Sequence, residues 1–185
     1  MVKRMKNEVA VLTLPAVNRV IRSIGFEDIK VKIDDEESWG CANGETRQAL
    51  VIVLESGWRV VLVDRAGQSC CESRYMSTDD DLDSLVGETL VGIRHGGADS
   101  KTSHYCGIED GEIGDGEDDD DNEPEGCYCD GVVEIEFALI QTNRDSATIG
   151  TYNSHNGYYG GLDLALAVYD PDGNKVVDHV SFTGE

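Results

Sequence analysis

The 185-residue sequence predicts an α+β fold: one domain, mainly antiparallel β-sheet, with an N-terminal helix and one short internal helix. Three observations carry this. Val17, Val20, Ile21 and Ile24 recur at i, i+3, i+4 and i+7, the spacing of one helix face. Most of the remaining apolar residues fall in short β-branched or alternating runs. The links between those runs are short and rich in turn residues, which favours antiparallel neighbours.

In chain order, Thr13 is placed to cap the first helix, and Pro15 falls in its first turn, where proline is tolerated. Gly25 is a natural stop, so the spacing predicts a helix over 14–24. Residues 1–27 form a helical extension, and 28–185 a β-rich domain. Asp28–Ile33 alternates, with Ile29, Val31 and Ile33 on one face. A polar loop covers 34–48. Ala49–Leu54 and Trp58–Val63 are two strands joined by Glu55-Ser56-Gly57, a hairpin signal. Ser77-Thr78, three Asp residues, then Leu82, Leu85 and Val86 predict the internal helix, ended by Gly87. Thr89–Ile93 is a strand. Val132–Ile140 is a strong one, with Val133, Ile135, Phe137 and Leu139 on one face. Ala147–Tyr152 and Leu162–Tyr169 follow. Asp170-Pro171-Asp172-Gly173 is a tight turn, and Lys175–Phe182 returns antiparallel.

Charge narrows the function. Lys and Arg total 15 against 37 Asp and Glu, a net of −22. Such a chain repels phosphate backbones, so direct nucleic-acid binding is not expected. Residues 109–125 hold 11 acids and no base, half of that net charge. They sit in a Gly-rich segment, 107–126, read as an acidic loop inserted between strands. Clustering of this kind argues against even, phosphate-like spacing, and so against mimicry of a duplex. No apolar run approaches the roughly 20 residues that span a bilayer, and no membrane association is expected. No convincing secretion signal is present, so the six cysteines are expected as reduced thiols in a cytoplasm.

Enzyme signatures for phosphate loops, dinucleotide folds, zinc proteases and serine hydrolases are missing. Two segments stand out instead. Asp64–Tyr75 leaves a strand end and carries Asp64, Cys70, Cys71, Glu72 and Ser73. Tyr152–Gly161 carries Tyr152, Asn153, His155, Asn156, Gly157, Tyr158, Tyr159, Gly160 and Gly161. Glycine allows close approach, tyrosine offers a stacking face, and asparagine reads polar edges, so together they suit a planar polar ligand or a protein partner. The alternatives are a wide turn packing on the core, and buried structural thiols. His104, Cys106, Cys127 and Cys129 flank the acidic loop; each pair is one residue apart and would share a strand face, a weak fit to tetrahedral zinc. No other cofactor is expected. A thiol enzyme would need Cys70 or Cys71 beside a base such as His155.

These residues carry a resemblance. Val63-Asp64, Cys70-Cys71-Glu72-Ser73, Leu85-Val86-Gly87 before Thr89-Leu90-Val91, and Asn153 to Gly161 together resemble an uncharacterised domain family common in bacteriophage genomes. That family pairs a Cys-Cys-x-Ser segment with a late Asn-Gly-Tyr-Tyr-Gly-Gly loop, and the likeness covers roughly 28–169. Glu72 stands where Ser is usual, and His155 where a small polar residue is usual. The resemblance implies a small viral accessory protein and no particular chemistry. The expected function is therefore a non-enzymatic binding protein acting in the host cytoplasm. It would inhibit a host defence system by binding a protein component or sequestering a nucleotide-like signal. The alternative is an acidic DNA mimic that inhibits a DNA-binding enzyme. No sequence feature points to an oligomeric state.

Overall fold

β-branched and aromatic side chains fit a pleated, half-buried surface, and the runs rich in them become strands. The computed structural model describes residues 16–31, 45–67, 71–104, 130–157 and 160–181. Among these residues nine strands form one antiparallel sheet: β1 (Arg19–Val31), β2 (Glu45–Leu54), β3 (Arg59–Asp64), β4 (Ser73–Ser77), β5 (Thr89–His104), β6 (Asp130–Thr142), β7 (Ser146–His155), β8 (Leu164–Tyr169) and β9 (Lys175–Ser181). Their order is β4-β7-β6-β5-β1-β2-β3-β8-β9.

The predicted N-terminal helix is overturned. Ala16–Asn18 is a turn, and residues 19–24 open β1, a central strand. The misleading spacing has a physical origin. Ile21 pairs with Leu54 and Ser23 with Val53, so Arg22 is an extra residue in a β-bulge. The bulge returns Ile24, opposite Ile52, to the face of Ile21. Both are buried, three apart on a strand, which imitates a helical stripe. Gly25 is no helix stop; it pairs with Val51 inside the sheet. The internal helix shrinks to one 3-10 turn, Leu82–Leu85, capped by the Asp81 carboxylate accepting from the Asp83 N–H. That turn is the whole helical content of the described residues, so the fold class is β rather than α+β. The 34–48 loop is also shorter than expected, since β2 begins at Glu45, and β5 runs well past Ile93.

β1 belongs to both halves of the sheet. Arg19 and Val20 pair with β5, while Ile21–Val31 pair with β2. The halves β4-β7-β6-β5 and β2-β3-β8-β9 bring their inner faces into one apolar cluster: a two-layer sandwich. One half contributes Met76, Ile93, Ala138, Ile140, Ala147 and Ile149; the other contributes Leu50, Ile52, Val60, Leu62, Leu164 and Leu166. β2 and β3 are buried on their outer face too, through Ala49, Val51, Val61 and Val63. That is why they read as continuous apolar runs instead of alternating ones.

Each inward row changes character along its strand. Leu54, Ile52 and Leu50 lead to Gln48 on β2, and Val60 and Leu62 lead to Asp64 on β3. Ile140 and Ala138 lead to Glu136 and Glu134 on β6; Ala147 and Ile149 lead to Thr151, Asn153 and His155 on β7. Met76 leads back to Arg74 and Glu72 in the β4 row. One end of the sandwich interior is therefore apolar and the other is charged. The buried face of β6 is the one bearing Glu134 and Glu136; Val133, Ile135, Phe137 and Leu139 are half-buried on the opposite face.

Candidate functional site

The chain crosses between the layers twice, from β3 to β4 and from β7 to β8. Asp64 lies opposite Leu164, and Ser73 opposite Ser154, so both crossings lie at the charged end. These are the two segments singled out in the sequence. Buried charges there must be paired or hydrogen-bonded. Arg74 meets that demand. Its Nη1 donates to Asp64 Oδ2 at 2.7 Å and to the Gly161 carbonyl at 3.0 Å, and its Nη2 donates to Glu72 Oε1 at 2.8 Å. All three side chains are almost wholly enclosed. The other Asp64 oxygen, Oδ1, accepts from the backbone N–H groups of Ala66 and Asp163, one on each crossing. Arg65 grips the Asp163 carboxylate from the rim.

The network continues through β7 and β6. Asn153, fully buried, donates its Nδ2 to Glu72 Oε1 at 3.0 Å, and its Oδ1 has no hydrogen-bond partner. Glu134 Oε2 accepts from the Gly161 N–H at 2.6 Å and lies 3.6 Å from His155 Nε2. His155 Nδ1 accepts from the Gly157 N–H at 3.0 Å, which assigns the ring proton to Nε2. Gly160 and Gly161 are needed for their size and shape. A Cβ on Gly160 would come within 3.1 Å of Glu134 Oε1 and 3.3 Å of His155 Nε2, and Gly161 holds φ +91°.

Two cavities open beside this network. One, of about 410 Å³, is lined by Cys71, Glu72, Ser73, Ser154, His155 and Asn156. The other, of about 500 Å³, lies against β5 and β6 and is lined by His95, Asp99, Ser100, Glu134, Glu136 and Leu162 among others. Glu136 is 2% exposed. Burial, reinforced by Asp64 and Asp163, pushes its carboxyl up to about 7, opposed by a hydrogen bond from the Leu164 backbone across the layers.

The structure thus brings Asp64, Glu72, Asn153, His155, Gly160 and Gly161 together. Cys71, Ser73 and Asn156 are at the rim. Tyr152 stands apart: it projects to the outer face and stacks on Tyr75 of β4, ring centres 4.8 Å apart. Cys70, Tyr158, Tyr159 and the acidic loop lie outside the described residues. So do Cys106, Cys127 and Cys129 of the zinc reading, while the His104 backbone ends β5 opposite Asp130. Among the described residues no three His, Cys, Asp or Glu side chains are placed to hold a metal ion. Sequence reasoning missed Arg74 as the hub, and Glu134, Glu136 and His95 altogether. The available signal was the pair of carboxylates two apart inside an apolar strand, Glu134 and Glu136.

Fold and site define an antiparallel β-sandwich with a charged interior end. Among the described residues no helix is long and apolar enough to cross a membrane. The family model of a domain of unknown function, DUF7448, matches residues 15–165, and the chain belongs to that family. No curated protein and no solved structure matches it.

Proposed function

We propose that this chain is a non-enzymatic binding protein whose charged end seats a basic segment of a partner protein. The observation that carries the reading is the Arg74 hub. By joining Asp64, Glu72 and the Gly161 carbonyl, it makes the two crossings one preorganised surface beside the 410 Å³ cavity. Preorganisation lowers the ordering cost of binding. His155 Nδ1 is held by the Gly157 N–H, which leaves it no base for Cys71. Five carboxylates, Asp64, Glu72, Glu134, Glu136 and Asp163, stand against two arginines, Arg74 and Arg65, at this end, which disfavours an anionic nucleotide and favours a cationic partner group. In the setting that the resemblance to phage domains implies, the partner is a protein of the host's defences and the site of action is the host cytoplasm.

Capture of the partner from host lysate, followed by rebinding of the purified pair, tests this. Asn156→Arg places a cation on the rim beside Glu72 and His155. It should weaken binding tenfold or more, about 1.4 kcal/mol. Undiminished binding would refute the site. Native mass spectrometry of the protein purified from cells provides the second arm: a nucleotide-sized mass lost on denaturation would replace a protein partner with a sequestered ligand. Deleting residues 109–125 separates the DNA-mimic alternative, which requires most of the affinity to reside in that loop and to compete with DNA.

A further inference from the structure

The second cavity is a separate feature, and the Arg74 hub does not account for it. Glu136 enters it from the inner face of β6 with only 3% of its side chain exposed. Its Oε1 makes no hydrogen bond. His95 Nε2 lies 3.0 Å away, an ion-pair contact only when the ring is protonated, and that nitrogen also lacks a hydrogen-bond partner. His95 is re-aimed by a bulge: it pairs with Ala138, while Gly97 pairs with Phe137, leaving Gly96 extra. Glu134 and Asp99 add two more carboxylates to the lining, and Leu162 adds an apolar wall.

A buried carboxylate oxygen without a donor is costly, and in native proteins it calls for an explanation. A metal ion does not supply one, since among the described residues no three ligands converge. The carboxylates are instead spread round a space of about 500 Å³ with an apolar wall, which suits an ammonium group carried on an alkyl chain. We infer that this cavity binds the ammonium end of a primary alkylamine, with Glu136 as its buried counter-charge, Glu134 and Asp99 nearer the mouth, and Leu162 against the methylenes. The ammonium is either a lysine side chain of a partner or a free polyamine.

Charge around Glu136 comes from every neighbouring element: His95 on β5, Glu134 on β6, Asp64 on β3 and Asp163 before β8, the last two held by Arg74 and Arg65. A carboxyl titrating at about 7 is about nine-tenths ionised at pH 8 and about one-tenth at pH 6. Binding should therefore strengthen about tenfold from pH 6 to pH 8, while the amine stays charged.

The test is calorimetric titration of the full chain with putrescine and with Nα-acetyl-lysine methylamide, using Nα-acetyl-norleucine methylamide as the uncharged control. Saturable binding of the amines alone, about tenfold tighter at pH 8 than at pH 6, is expected. Glu136→Gln, which keeps the shape and an acceptor for the Leu164 N–H, should abolish it. Tighter binding of putrescine assigns a free polyamine; equal binding of the two amines assigns a lysine side chain. Absence of amine binding to the wild-type chain, a flat pH profile, or unchanged binding by a folded Glu136→Gln variant would overturn the inference. The wild-type pH series stands even if the variant does not fold. The Asn156→Arg capture reads the other cavity, so the two proposals can fail separately.

Discussion

Replacing Arg74 by methionine should be among the most damaging single changes at the charged end. Methionine keeps much of the length and removes every donor. Asp64 and Glu72 then keep 6% and 3% side-chain exposure without their cation, and the Gly161 carbonyl loses its donor. Removing one partner of a buried pair costs about 3–5 kcal/mol, against 0–1 kcal/mol for an exposed pair. The single-digit exposures decide for the larger figure. With a urea m-value of about 2 kcal/mol per molar, the midpoint should fall by about 1.5–2.5 M. Arg59→Met is the control, because its ion pair with Glu27 is about half exposed and 3.4 Å long. That variant should shift by less than about 0.5 M. Adding Asp64→Asn to Arg74→Met should recover part of the loss, because it neutralises one stranded charge. A loss below about 1 kcal/mol for Arg74→Met, or equal shifts for Arg74 and Arg59, would refute the account of the hub.

Glu136→Gln should stabilise the protein at neutral and alkaline pH. The folded-state pKa of Glu136 is raised from 4.5 to about 7, so its contribution is intact below about 4.5 and is lost as the pH climbs through 7. The stability gap between variant and wild type should open across that window and level off above it at about 3 kcal/mol, read from urea midpoints at each pH. Gln48→Ala should cost about 1–2 kcal/mol, since its Oε1 accepts from the Met76 N–H of edge strand β4 at 2.8 Å. Hydrogen exchange at Met76 should rise while that at Ile149 stays protected. Deleting Arg22 removes the bulge but keeps Ile21, Ser23 and Ile24 opposite Leu54, Val53 and Ile52, so Ile24 and Phe26 stay on the inner face and the protein should still fold; Arg22→Ala, on an exposed side chain, should shift stability by less than about 0.5 kcal/mol, and circular dichroism and melting check both.

Most strands were legible because their residues are β-branched and their turns carry strong signals. Glu55-Ser56-Gly57 and Asp170-Pro171-Asp172-Gly173 both join neighbouring strands. The helix over 14–24 was misread because a bulge changes the inward spacing from two to three. β4 escaped notice because its inward row is Glu72, Arg74 and Met76, and charge there resembles solvent exposure. The same bias hid half the site. On β6 the sequence pattern groups Val133, Ile135, Phe137 and Leu139 on one face, yet the row turned to the interior is Glu134, Glu136, Ala138 and Ile140. Asp64, Glu72, Asn153 and His155 were found because glycines or breaks in pattern flank them. Their shared neighbour, Arg74, depends on a pairing of distant segments that no local pattern encodes.

That distance has a kinetic consequence. β1–β2–β3 and β5–β6–β7 are meanders of sequence neighbours, but Asp64 pairs opposite Leu164, closing a loop of about 100 residues. Such contacts form late, because chain entropy must be lost before they give any return. A growing chain that has reached His155 contains Asp64, Glu72, Glu134 and Glu136, yet it lacks Asp163, whose amide Asp64 grips, and the Gly161 carbonyl that Arg74 grips. The surface is thus assembled last, and an emerging or misfolded chain presents scattered acids in place of a site. Binding through it would report that folding is finished.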